Sequence, residues 1–168
     1  MDIDWSNLKA ALANSTQHYF LFKSNLSRYV RQYELLVDDS RISPLSWICI
    51  YSSDDFFSPR RGIFIDYLFG KNQDVYLTLI QGVKGSNTQE LEQVRKIVQQ
   101  KIDGGSFLKV SESSFLPVNY SKGMVFYKKY TLGSFPDDDQ LKADLQELIA
   151  IYKKVKELNL FKISLWPN

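Results

Sequence analysis

The stretch from Trp47 to Gly82 constrains the fold of this chain more than any other. Ser46-Trp47-Ile48-Cys49-Ile50-Tyr51 is followed by a Ser-, Asp-, Pro- and Arg-rich segment up to Arg61, then by Gly62-Ile63-Phe64-Ile65-Asp66-Tyr67-Leu68-Phe69. Turn residues from Gly70 to Asp74 separate this from Val75-Tyr76-Leu77-Thr78-Leu79-Ile80-Gln81-Gly82. β-Branched and aromatic side chains pack well on a pleated surface, so three such runs punctuated by turn residues predict an antiparallel meander. Successive strand residues point to opposite faces, which puts Ile63, Ile65, Tyr67 and Phe69 on one face and Phe64, Asp66 and Leu68 on the other. The first set reads as core. The second holds an aspartate between two large apolar residues, and that face either packs under another element or serves a ligand.

Helices are expected around this meander. Trp5, Leu8 and Leu12 mark an opening helix that ends near Asn14, and Leu26, Tyr29, Val30, Tyr33 and Val37 are also helically spaced. Leu91, Val94 and Val98 share one side of a helix that Asp103-Gly104-Gly105 stops. Phe107 to Val110 is a candidate short strand and Gly123 to Tyr130 a longer one. Pro136 with Asp137, Asp138 and Asp139 starts a last helix, where carboxylates complement exposed N–H groups. Its stripe is Leu141, Leu145, Leu148, Tyr152 and Val155, and its lysines gather at the far end. The expected class is α+β, a mixed, largely antiparallel sheet packed by helices. Residues 1–158 form one domain in this reading, and 159–168 a tail or the start of a linker.

The 168 residues suffice for one core without disulfides or metal. With one cysteine, Cys49, there is no internal disulfide, and with one histidine, His18, no His/Cys zinc site. Cys49 reads as a small buried hydrophobe and His18 as a solvated loop or helix-end residue. No run is long and apolar enough to span a bilayer, and Met1-Asp2-Ile3-Asp4-Trp5 lacks the pattern of a signal peptide, so a cytoplasmic protein is expected, with no membrane partner. A phosphate loop ending Gly-Lys-Ser/Thr is absent, as is any Gly-x-Ser-x-Gly turn. Asp66 and Asp74 are candidate nuclease carboxylates by position alone. The chain is expected to be a binding module without cofactor rather than an enzyme. Its net charge of +2 is small, but positives cluster at Arg60-Arg61, Lys122, Lys128-Lys129 and Lys153-Lys154. Such clusters either bind phosphates or form solvated faces.

Several words of the sequence form an ordered set. Trp47 is followed by Ile-x-Ile, Gly62-Ile63-Phe64 opens the next strand, Tyr67-Leu68-Phe69 ends it, and Val75-Tyr76-Leu77-x-Leu79-x-Gln81-Gly82 follows. Later come Tyr120-x-x-Gly123, Lys128-x-Tyr130, Pro136-Asp137 and Leu141-x-x-Asp144-Leu145-x-x-Leu148-x-x-x-Tyr152. This set, over roughly residues 20 to 155, resembles the McrB-type N-terminal domain family, the DNA-reading modules of modification-dependent, type IV restriction systems. The resemblance also implies a strand near Glu34 to Val37, against the helical spacing there.

The same resemblance implies duplex DNA as ligand and a modified base, with methylated cytosine the expected mark, as the feature read. Some members of the family extrude the base into a pocket, which requires walls to stack it, a wedge to fill the vacated stack and groups for the base edge. Carried over by position, the walls are Trp47 and Leu68 and the wedge is Phe64. The family's other stacking aromatic falls near Asp39, which cannot stack but can accept a hydrogen bond from a cytosine amino group. Either another aromatic such as Tyr51, Phe56 or Phe57 closes the pocket, or this chain does not flip cytosine in the same way. Backbone contacts are expected from Arg41, Arg60, Arg61, Lys122, Lys128 and Lys129. The segment Ser52 to Arg61 either inserts into a groove or tucks Phe56 and Phe57 into the core. Motor and nuclease functions would sit in other domains or subunits of a restriction complex. Rival readings are a sequence-specific or shape-based DNA reader without a pocket, and a protein-interaction domain that uses its aromatic face.

Overall fold

The computed structural model describes residues 2–40, 46–52, 62–82, 87–111, 114, 116 and 121–160. In chain order the elements are α1 (Ser6–Leu12), α2 (Thr16–Val30), β1 (Leu35–Ser40), β2 (Ser46–Ser52), β3 (Ile63–Phe69), β4 (Asp74–Gln81), α3 (Thr88–Lys101), β5 (Leu108–Lys109), β6 (Met124–Thr131) and α4 (Asp138–Glu157). The strands form one sheet in the order β1-β2-β3-β4-β6-β5, and every neighbouring pair is antiparallel. The fold is α+β, and the expected meander is its centre.

Local chemistry sets the helix boundaries. Side chains of Ser15, Asn87 and Asp137 accept hydrogen bonds from the backbone N–H groups of His18, Glu90 and Gln140, satisfying donors that the first turns of α2, α3 and α4 leave open. His18 is thus a first-turn residue, its Nδ1 also 2.5 Å from the Ser15 hydroxyl. The contested segment resolves into both readings in succession. Helix α2 continues through a 3-10 turn to Tyr33, and Glu34 then takes a left-handed conformation at φ 61°, which ends the helix and launches β1.

The alternation read from β3 holds across the sheet. Ile48, Ile50, Ile63, Ile65, Tyr67, Phe69, Val75, Leu77 and Leu79 join the main core, to which all four helices contribute, among them Leu8, Phe22, Leu26, Val98, Leu145 and Tyr152. The α4 stripe expected from the sequence is buried throughout. Burying side chains of this size contributes roughly 1.5–3 kcal/mol each. At the turn after α3, a Cβ on Gly104 would lie 2.4 Å from the Phe126 ring, and Gly105 has φ +57°, so two glycines are what let β5 return to the sheet.

The opposite face carries a second, smaller cluster: Cys49, Phe64, Leu68, Tyr76, Ile80, Val110 and Met124, with Trp47, Tyr51, Leu116 and Tyr127 against it. None of these residues is helical. A sheet with helices on one side has therefore buried its other side as well, and every residue of β3 and β4 is buried.

Candidate nucleic-acid interface

The register of the meander assembles this second face residue by residue. Trp47 of β2 stands directly opposite Leu68 of β3, which stands opposite Tyr76 of β4. One step along, Cys49 faces Asp66 and Asp66 faces Thr78; a further step pairs Phe64 with Ile80. Directly opposed residues of antiparallel strands have Cβ atoms about 4.5–5.5 Å apart, so the proximity of Trp47 and Leu68 is dictated by strand pairing. Phe64 and Leu68 are buried, whereas Trp47, Tyr51 and Tyr127 are only partly so and form the accessible rim of the cluster.

Among the described residues, three polar groups on this side lack the partners that burial demands. One carboxylate oxygen of Asp66, one of Asp74 and the hydroxyl of Tyr76 are buried without a hydrogen bond. Thr78, across from Asp66, is already engaged: its hydroxyl donates to the Phe126 carbonyl at 2.7 Å. Burial pushes the Asp66 carboxyl up to about 7, with the Cys49 thiol, hydrogen-bonded to it, pulling the other way. The Cys49 thiol itself is held well above its ordinary range by burial and by Asp66. Burial likewise raises Tyr51 and Tyr76.

The expected site residues divide between the two faces. Trp47, Tyr51, Phe64 and Leu68 share the second face, as their positions implied. Lys129 is exposed on it beside Tyr76, with its ammonium 5.7 Å from that ring and 3.6 Å from Asp74. Lys122 is exposed at the approach to β6. Asp39 is not brought to this face. It lies across from Ile48, points to the helical side, and is bound there by Lys23 at 2.6 Å and the Tyr19 hydroxyl at 3.3 Å. Its neighbour Asp38, across from Cys49, is the β1 carboxylate on the Trp47 side. Lys128 is likewise turned to the helices, paired with buried Asp144 at 2.6 Å and stacked over Phe107. A one-residue offset decides such cases, because the side-chain period of a strand is two. Arg41, Arg60, Arg61, Phe56 and Phe57 lie outside the described residues.

Sequence reasoning passed over Tyr76, Thr78 and Tyr127 as site residues, although strand alternation from Trp47 and Leu68 would have found the first two. Among the described residues no cluster of three or more His, Cys, Asp or Glu is placed to hold a metal ion, and no helix is long and apolar enough to cross a membrane.

The MrcB-like N-terminal domain family matches residues 38–157, well over half of the chain. The chain belongs to this family. The match takes in the sheet from late β1 onward together with α3 and α4, so Trp47, Phe64 and Leu68 fall inside it, whereas α1 and α2 precede it. No curated protein and no solved structure gives a significant match.

Proposed function

We propose that this MrcB-like domain is the DNA-reading module of a modification-dependent restriction system, and that it recognises a modified base, methylated cytosine first among them, in duplex DNA. The observation that supports this best is the Trp47–Leu68 cross-strand pair, set at the partly exposed edge of a non-helical apolar face. An indole and an isobutyl group at opposed strand positions offer flat and apolar surfaces to an extruded base, and Phe64 supplies an aromatic group two alternation steps away on the same face. Lys122 and Lys129, with Arg41, Arg60 and Arg61, would grip phosphates and set register. Lys128 and Asp39 are left out of this role by their partners on the helical side. The module binds and does not itself cleave DNA or hydrolyse nucleotide; those steps belong to other domains or subunits.

The test is equilibrium binding of the purified domain to one short duplex prepared unmodified, with 5-methylcytosine, with 5-hydroxymethylcytosine, with N4-methylcytosine and with N6-methyladenine, at two salt concentrations. The expected result is preference for one modified duplex, weakened roughly tenfold or more by Trp47→Ala, since a stacking aromatic contributes about 1–3 kcal/mol per base. Salt-sensitive binding that ignores the modification would instead indicate a sequence- or shape-based reader. No DNA binding at all would leave a protein-docking face.

A further inference from the structure

Resting on the reading above, we infer that Asp66 is the specificity-determining group of this face: its carboxyl hydrogen-bonds the Watson–Crick edge of an extruded cytosine. Asp66 sits between Phe64 and Leu68 on the same side of β3, one register step from the Trp47–Leu68 pair. It is 8% exposed, and one of its oxygens has no partner. A polar group buried without a hydrogen bond has lost its water and gained nothing in return, so its retention calls for an explanation. A carboxyl oxygen here has apolar and aromatic surfaces on either side, which is the setting a stacked base requires. The Tyr76 hydroxyl, buried and unpartnered across from Leu68, is a second polar atom waiting on the same face.

Cytosine presents an amino donor at N4 and an acceptor at N3. A neutral carboxyl matches both, its O–H donating to N3 and its carbonyl oxygen accepting from N4. An ionised carboxylate can only accept, and it meets the N3 lone pair with a like partial charge. Burial favours the neutral form, with the titration brought to about 7. Among the described residues, the other titratable groups on this side of the sheet are Asp38, Cys49 and Tyr51 from β1 and β2, Asp74 and Tyr76 from β4, and Tyr127 and Lys129 from β6. Of these, Cys49 is the one directly against Asp66.

Two variants separate recognition from packing. Asp66→Asn keeps a donor and an acceptor without titrating; Asp66→Val keeps the volume and removes both. Both are assayed on the modified and unmodified duplexes from about pH 6 to 8, with thermal unfolding of the same samples to show that they are folded. If Asp66 reads the base edge, Asp66→Val loses at least about tenfold in affinity for the modified duplex while melting no lower than the parent, because N3 and N4 lose their partner whatever group stands at C5. Asp66→Asn keeps that affinity, and the weakening that the parent shows as pH rises through 7 disappears. An unchanged affinity in Asp66→Val overturns the inference and leaves the modified-base reading intact. Equal loss in both folded variants also overturns it, because hydrogen-bonding pattern would then be irrelevant. A parent domain without preference for any modified duplex removes both readings together.

Discussion

Asp144 is 1% exposed, yet its two oxygens accept from the Lys128 ammonium at 2.6 Å, the Tyr130 hydroxyl at 2.6 Å and the Gln140 amide at 2.7 Å. A buried carboxylate is tolerated when its lone pairs are this well satisfied, and removing it strands a lysine and a tyrosine hydroxyl together. Asp144→Ala should therefore destabilise the domain by about 3–5 kcal/mol in denaturant unfolding, far more than loss of the exposed Lys142–Asp2 pair. Asp66 is the contrasting case, since it has one unpartnered oxygen and, among the described residues, no cation paired with it. Its folded-state titration near 7 lies above the ordinary 3.8, so the folded state holds the proton more tightly than the unfolded chain. Stability from that proton is present at acid pH and is lost as pH climbs from about 4 through 7. Asp66→Asn should be little changed at about pH 3, below the unfolded value, and more stable than the parent by up to a few kcal/mol at about pH 8, as read from unfolding midpoints at both values.

Among the elements, α4 shows how a local signal and a tertiary one cooperate. Asp137 caps its first turn through Gln140, Asp138 and Asp139 lie where the helix dipole favours negative charge, and Lys154 and Lys156 lie at the other end. These features are local and were readable directly, as was the apolar stripe. Asp137→Ala should cost about 0.5–2 kcal/mol, measured as a shift in the urea midpoint with an unchanged slope. The segment from Leu26 to Val37 was not readable in the same way. Its apolar spacing fits a helix throughout, and the change to strand depends on Glu34 adopting φ 61° and on Leu35 to Ser40 finding β2 as a partner. Pairing between segments distant in sequence overrode local periodicity. The strand assigned there by family resemblance was placed well, beginning at Leu35.

At the scale of the whole molecule, the two N-terminal helices precede the family match but supply its core. Trp5, Leu8, Leu12, Tyr19, Phe22, Leu26, Tyr29 and Val30 are all buried in the main cluster. The Phe22 ring meets Tyr67 of β3 edge-on at 5.2 Å, and the Tyr19 hydroxyl donates to the Trp47 carbonyl at 3.2 Å. The helices thus support the backbone that positions the candidate wall. A chain beginning at Leu35 should lose cooperative thermal unfolding and bind an apolar dye, because the helical side of the sheet would be left open. A sharp transition in that fragment would show that the matched segment folds independently.

The amino-acid sequence by itself determined the strands of the meander, three of the four helices, and the face assignment of Phe64, Asp66 and Leu68. Each follows from a period, a cap or a turn residue within a few positions of one another. It also located Trp47 and Leu68 as candidates through resemblance, but not that they are direct cross-strand partners. Only the tertiary structure decided that Asp39 and Lys128 serve the helical side, held by Lys23 and Asp144. It alone left Asp66 and Tyr76 buried without hydrogen bonds beside the candidate site. Those outcomes depend on strand register and on partners 16 to 20 positions away, and a one-residue shift would have reversed the faces.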